Sequence, residues 1–278
     1  MTTFFRIFLL VFLAASTLNA TPDRKLVNLV VVLDLSDRLL IPGQAAKDKA
    51  TILAAFAAFE DVVRSQLFVK SKDVFSVVIL PQRNSVLRAD AHETRLRLDM
   101  GRLAVTEKNR KYMEFKANLG KLVDNLYAEA GKGTKTSDYF GVDIWQFFNQ
   151  SINDYLLPGA TNQVVMLTDG YLDFESDTHT ARVKNRYTSS KFLRSLSGAD
   201  WKQVAEAKDL GIYPIQNKIV ACKLIVTGLN AKYGGQSELD KLRYFWTKWL
   251  SESELANFQL ISNTNSAQMG STVSNALK

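Results

Sequence analysis

Two carboxylates in this chain stand just past the ends of unbroken apolar stretches. Asp34 follows "LVVVL" and is succeeded by Ser36, Asp37 and Arg38; Asp169 follows "VVML" and sits in Thr168-Asp169-Gly170. Between them lies a hydroxyl-rich turn, "GKGTKTSDY", with Thr134, Thr136 and Ser137. Carboxylates and hydroxyls brought to one place form a hard-oxygen donor set, suited to Mg²⁺, Mn²⁺ or Ca²⁺. Zinc prefers imidazole and thiolate, and the chain has only His92, His179 and Cys222 to supply them. Gly170 lets the chain turn sharply after Asp169.

These residues need strands to carry them. Leu26 to Leu33 reads as a strand buried on both faces, and so do Val74 to Leu80, Gln163 to Leu167 and Lys218 to Val226, with a last strand at Phe258 to Ile261. Thr94 to Asp99 alternates apolar and charged residues, as a short edge strand does. Helical spacing appears over Ala45 to Gln66, Phe115 to Glu129, Tyr139 to Tyr155, Asp200 to Leu210 and Glu238 to Leu250. This alternation predicts an α/β fold: a doubly wound, mostly parallel sheet flanked by helices, with one short antiparallel edge strand. In such sheets ligands bind beyond the carboxyl ends of the strands, near the point where strand order reverses. Asp34 and Asp169 both fall there.

The rest of the chain narrows the function class. Residues 1–20 contain one charge, Arg6, followed by an apolar core from Ile7 to Ala15 and small residues up to Ala20, the pattern of a secretory signal peptide. The expected product is one exported domain, residues 21–278, periplasmic or secreted, with no membrane-spanning segment and a polar insertion at about 174–198. Net charge is +7, or +6 once Arg6 is removed. The excess is dispersed and poorly interleaved with aromatics, so a nucleic-acid site is not expected. Cys222, in an apolar run, reads as a buried and inert thiol. Trp246 and Trp249, three apart on one helix, read as core, as do at least two of Trp145, Phe147 and Phe148.

The segments "VVVLDLSDR", "GTKTSD" and "VVMLTDGY", in that order along nearly the whole mature chain, resemble a von Willebrand factor A domain. That resemblance implies a metal-ion-dependent adhesion site at the top of the sheet. Asp34 and Ser36 match the first two ligands of its Asp-x-Ser-x-Ser motif, Thr136 is the choice for its threonine, with Thr134 and Ser137 as alternatives, and Asp169 matches its third motif. It further implies a binding module and no catalysis: Mg²⁺ is the expected ion, with Mn²⁺ or Ca²⁺ as substitutes, and the partner is a protein offering an acidic side chain. The chain departs from the family at the second serine, where it has Arg38. Either Arg38 points away and leaves the site one hydroxyl short, or it enters the site and pairs with Asp34 and Asp169 in place of a metal, as in a metal-free envelope subunit. A phosphatase with Asp34 as nucleophile is the enzymatic alternative, although that chemistry wants a second Asp where Ser36 stands.

Overall fold

A computed structural model of the protein describes residues 24–65, 68–82, 85–131, 133–172, 182–233 and 235–278. The signal segment, His179 and the first part of the insertion lie outside these residues. In chain order the elements are β1 (Val27–Leu33), α1 (Gln44–Arg64), β2 (Val74–Ile79), α2 (Ala89–Arg95), β3 (Arg97–Asp99) and α3 (Lys108–Ala130). There follow α4 (Ile144–Gln146), a π-helical turn (Phe147–Ser151), α5 (Ile152–Tyr155), β4 (Thr161–Leu167), β5 (Arg182–Val183), β6 (Arg186–Tyr187), α6 (Trp201–Ala207) and β7 (Gly211–Ile212). The chain ends with β8 (Cys222–Leu229), α7 (Gly235–Glu252), β9 (Phe258–Ser262) and α8 (Ser266–Leu277).

The main sheet has the order β3-β2-β1-β4-β8-β9. All its pairings are parallel except β2 with β3, which is antiparallel and confines β3 to the edge. The predicted doubly wound α/β sheet is therefore present. Period-two alternation divides each central strand between two cores. Leu29, Val31 and Leu33 pack with α1, α3 and α8, whereas Val30 and Val32 pack with α4, α5 and α7. With helices on both faces, every residue of β1 is buried, which is why its sequence shows no polar alternation.

Winding places the site. From β1 the chain runs outward through β2 to β3, then returns to β4 on the other side of β1 and proceeds to β8 and β9. The reversal lies between β1 and β4. Their register pairs Leu33 with Leu167, and the Asp34 amide donates to the Leu167 carbonyl at 3.0 Å. Asp34 and Thr168 therefore leave the sheet side by side.

Several boundaries differ from the spacing-based expectations. Residues 139–155 do not form one helix: Tyr139 and Val142 are buried in irregular chain, and helix begins only after Asp143, whose carboxylate accepts from the Gln146 amide at 2.8 Å. The described part of the insertion, 182–198, is anchored: Phe192, Leu193 and Leu196 enter the core and β5 and β6 join β7 in a small second sheet. Trp246, Trp249, Phe147 and Phe148 are buried as expected. Among the described residues no helix is long and apolar enough to cross a membrane.

Candidate functional site

Four loops converge beyond the carboxyl ends of β1, β4 and β8. The first, after β1, is shaped by Asp34 itself: its Oδ1 accepts from the Ser36 amide at 3.0 Å and its Oδ2 from the Thr168 hydroxyl at 2.8 Å. This carboxylate ties the two central loops together, and it does not line the cleft above them. Ser36 does line it, at the start of a single 3-10 turn, Asp37–Leu40. The second loop, after β4, begins at Thr168, whose hydroxyl also accepts from the Gly170 amide at 3.1 Å. Gly170 has φ +95°, and a Cβ there would lie 2.5 Å from a Leu229 methyl, so a sharp glycine turn is needed to aim Asp169 at the rim. Trp246 Nε1 donates to the Gly170 carbonyl at 2.7 Å, fixing the turn from α7.

The third loop carries Thr136. Gln82, just past β2, donates to the Leu35 carbonyl at 3.0 Å and to the Phe140 carbonyl at 2.8 Å, strapping the 133–142 segment against the Asp34 loop. Of Thr134, Thr136 and Ser137, Thr136 is the one that lines the cleft. The fourth loop follows β8 and was not singled out from the sequence. The Asn230 amide donates to the Asp169 carbonyl at 3.0 Å, and Lys232 then extends its ammonium into the cleft. Lys232 Nζ is 2.7 Å from Asp37 Oδ1, 3.0 Å from Asp169 Oδ2, and 5.1 Å from the centre of the Tyr171 ring. The resulting cleft, about 180 Å³, brings together Ser36, Asp37, Thr136, Asp169 and Lys232.

Arg38 takes the first of the two courses. Its side chain does turn away from the cleft, and it is among the largest fully buried groups in the protein, 1% exposed. The guanidinium forms a two-pronged pair with Asp48 in the first turns of α1, at 2.7 and 2.9 Å, and also donates to the Asp34 carbonyl at 3.0 Å. Gln44 and the Tyr127 hydroxyl donate to the same Asp48 carboxylate, each at 2.8 Å. The alternative in which Arg38 pairs with the Asp34 and Asp169 carboxylates is therefore corrected: Asp48, which sequence reasoning missed, is its partner. The signal was present, because Asp48 lies four residues before Ile52 on the apolar stripe of α1, where a charge requires a buried partner.

Electrostatics distinguish Asp169 from Lys232. Burial pushes the Asp169 carboxyl up to about 6, against the pull of the Lys232 ammonium and with a further push from Asp34. Burial works against the charge of Lys232, but Asp169 and Asp37 outweigh it and hold the ammonium well above the ordinary lysine value. The buried Asp169 Oδ2 has the Lys232 ammonium as its partner, at 3.0 Å. Away from the rim, Cys222 is half-buried and not fully buried as its apolar run suggests; that partial burial pushes its thiol up to about 11.

The donor chemistry suits a hard cation. Asp169 offers a buried carboxylate oxygen that the Lys232 ammonium contacts at 3.0 Å, Ser36 and Thr136 offer hydroxyls, and Lys191 and Arg194 also line the cleft. Among the described residues, no three carboxylate, imidazole or thiol groups converge as a metal cluster, so hydroxyls must supply part of any coordination. A nucleophilic Asp34 finds no route to substrate, since its carboxylate is buried and lies below the cleft.

The mostly parallel sheet, with a polar cleft beyond the point where strand order reverses, is the doubly wound α/β architecture expected from the sequence. No protein-family model matches the chain, and no curated protein does. Among solved structures, it is similar to a von Willebrand factor type A protein from Catenulispora acidiphila, at 14% identity and TM-score 0.45, over 91% of this chain and 42% of that one. It is similar also to the pilus adhesin SpaC from Lactobacillus rhamnosus GG, at 9% identity and TM-score 0.46, over 92% of this chain and 30% of the adhesin. A third likeness is to proximal thread matrix protein 1 from the mussel byssus, at 10% identity and TM-score 0.38, over 91% and 48%. The chain spans less than half the length of each of these proteins, and likenesses this loose transfer no function.

Proposed function

We propose that this protein is an exported binding module that engages a protein partner through the cleft over β1 and β4. The observation that carries the reading is the buried Asp169 carboxylate, which faces a cleft shared with Ser36 and Thr136 and holds a positive charge, the Lys232 ammonium, at 3.0 Å. In this reading Ser36, Thr136 and Asp169 hold a divalent cation, Mg²⁺ first, and Asp34 positions Ser36 and Thr168 beneath it. The bound ion supplies an open coordination position that an acidic side chain of the partner completes. The hydroxyl and carboxylate donors at the cleft support a binding role. Export rests on residues 1–20 and is checked by N-terminal sequencing of the secreted or periplasmic product.

A ligand that binds only the folded state raises its melting temperature. Titrating the mature protein with MgCl₂ or MnCl₂ is expected to raise Tm in the wild type and to leave Asp169→Ala unmoved. A wild type indifferent to both ions, melting in parallel with Asp169→Ala, overturns the metal.

A second reading keeps the module and removes the ion, as in a metal-free subunit of an envelope assembly. The contacts of Lys232 with Asp37 and Asp169, at 2.7 and 3.0 Å, favour it, because the cleft then already contains its cation.

A further inference from the structure

Lys232 occupies the same carboxylate oxygen that the proposed ion requires. Asp169 Oδ2 is buried, and the approach to it from the cleft is taken by the ammonium at 3.0 Å. The ammonium does not rest there by chance. Its loop is fixed at three points: the Asn230 amide on the Asp169 carbonyl, the Lys232 amide on the Tyr171 hydroxyl at 3.1 Å, and the Tyr233 amide on Glu238 at 2.8 Å. Tyr171 in turn donates to Glu238, at the start of α7, so one hydrogen-bonded frame aims the lysine at the rim. The Tyr171 ring lies under the ammonium and adds a cation–π contact.

We propose that Lys232 is a tethered competitor for the cation position, so that a divalent ion and the lysine ammonium exclude one another at Asp169. This rests on the metal reading above and deepens it: metal entry requires the lysine side chain to swing off Asp37 and Asp169. The backbone frame need not move, since the amide bonds that hold the loop are separate from the ammonium contacts. The cost of displacement falls on metal affinity, and the wild-type site is weak in consequence.

Replacing Lys232 with methionine removes the competing charge while keeping most of the side chain's length. Binding is measured directly, by Mn²⁺ electron paramagnetic resonance or by calorimetry with Mg²⁺, on the full mature chain. Lys232→Met is expected to bind at least about tenfold more tightly than the wild type, since a unit charge a few ångströms away is worth more than one decade of affinity. Lys232→Arg, which keeps the charge, is expected to stay near the wild type, and circular dichroism verifies that both variants fold. A wild type that binds nothing while Lys232→Met binds also supports the competitor, and it moves the native protein to the metal-free reading. Equal affinities in wild type and folded Lys232→Met overturn the competitor and leave the metal reading intact. If neither protein binds, and both are folded, the competitor and the metal reading fall together.

Discussion

At the scale of the residue, the most consequential side chain is Arg38, and its role is structural. Its guanidinium is buried and held charged, because Asp48 outweighs the opposing effect of burial. A buried pair of this kind contributes little net stability against an apolar replacement, but removing one partner strands the other. Asp48→Ala leaves the guanidinium without its carboxylate and leaves the Tyr127 hydroxyl and Gln44 amide without their acceptor. The expected loss is about 3–5 kcal/mol, read from the urea midpoint. The double variant Arg38→Met, Asp48→Leu is expected to recover a substantial part of that loss, since no charge then remains buried; a double variant as unstable as the sum of the singles contradicts the pairing. Legibility at this scale was uneven. Asp34, Ser36 and Asp169 are readable because each stands within three residues of the end of an apolar strand. Lys232 was not: the strand before it was expected to end at Val226, and Gly228 broke the β pattern before the chain reached the rim.

Elements are set as much by their ends as by their periodicity. The helix expected from Phe115 begins seven residues earlier, because its first two turns are mostly charged and hide the stripe that Lys108, Tyr112 and Phe115 continue. Lys108 is itself buried, donating to the carbonyls of Val69 and Ser71 at 3.0 and 2.6 Å, a role that no helical pattern announces. Strand β8 carries the clearest case. Its register with β9 slips between Thr227 and Leu229, and Gly228 takes φ +97° there. A Cβ on that residue would stand 3.0 Å from the Thr168 carbonyl oxygen and 3.4 Å from a terminal nitrogen of Arg38. The bulge lets β8 pass over the buried guanidinium and deliver Asn230 and Lys232 to the cleft. Gly228→Ala therefore adds backbone strain and a close contact at once, with an expected cost of about 1–3 kcal/mol. It is read as a lower urea midpoint with unchanged slope. A midpoint equal to the wild type shows that the bulge does not require glycine.

At the scale of the described molecule, the main sheet lies between two helical layers, and its strands make these layers interdependent. Along β1, alternate residues belong to opposite cores, so neither layer loses its packing without exposing strand residues that support the other. The cleft is braced from both sides: Arg38, Asp48 and Tyr127 join the β1 loop to α1 and α3, whereas Trp246 joins the β4 loop to α7. The tryptophans make this coupling measurable. The chain has four, and all of them, Trp145, Trp201, Trp246 and Trp249, lie with the α7 layer. Their fluorescence reports one core, whereas far-ultraviolet circular dichroism reports helices of both. If the sheet couples the layers, the two signals trace coincident urea transitions, as cooperative unfolding requires. Asp48→Ala, on the opposite layer, then shifts the tryptophan transition by as much as it shifts the dichroism. A tryptophan transition that stays put while the dichroism moves would show that the layers melt separately, and that the rim is braced by two independent halves.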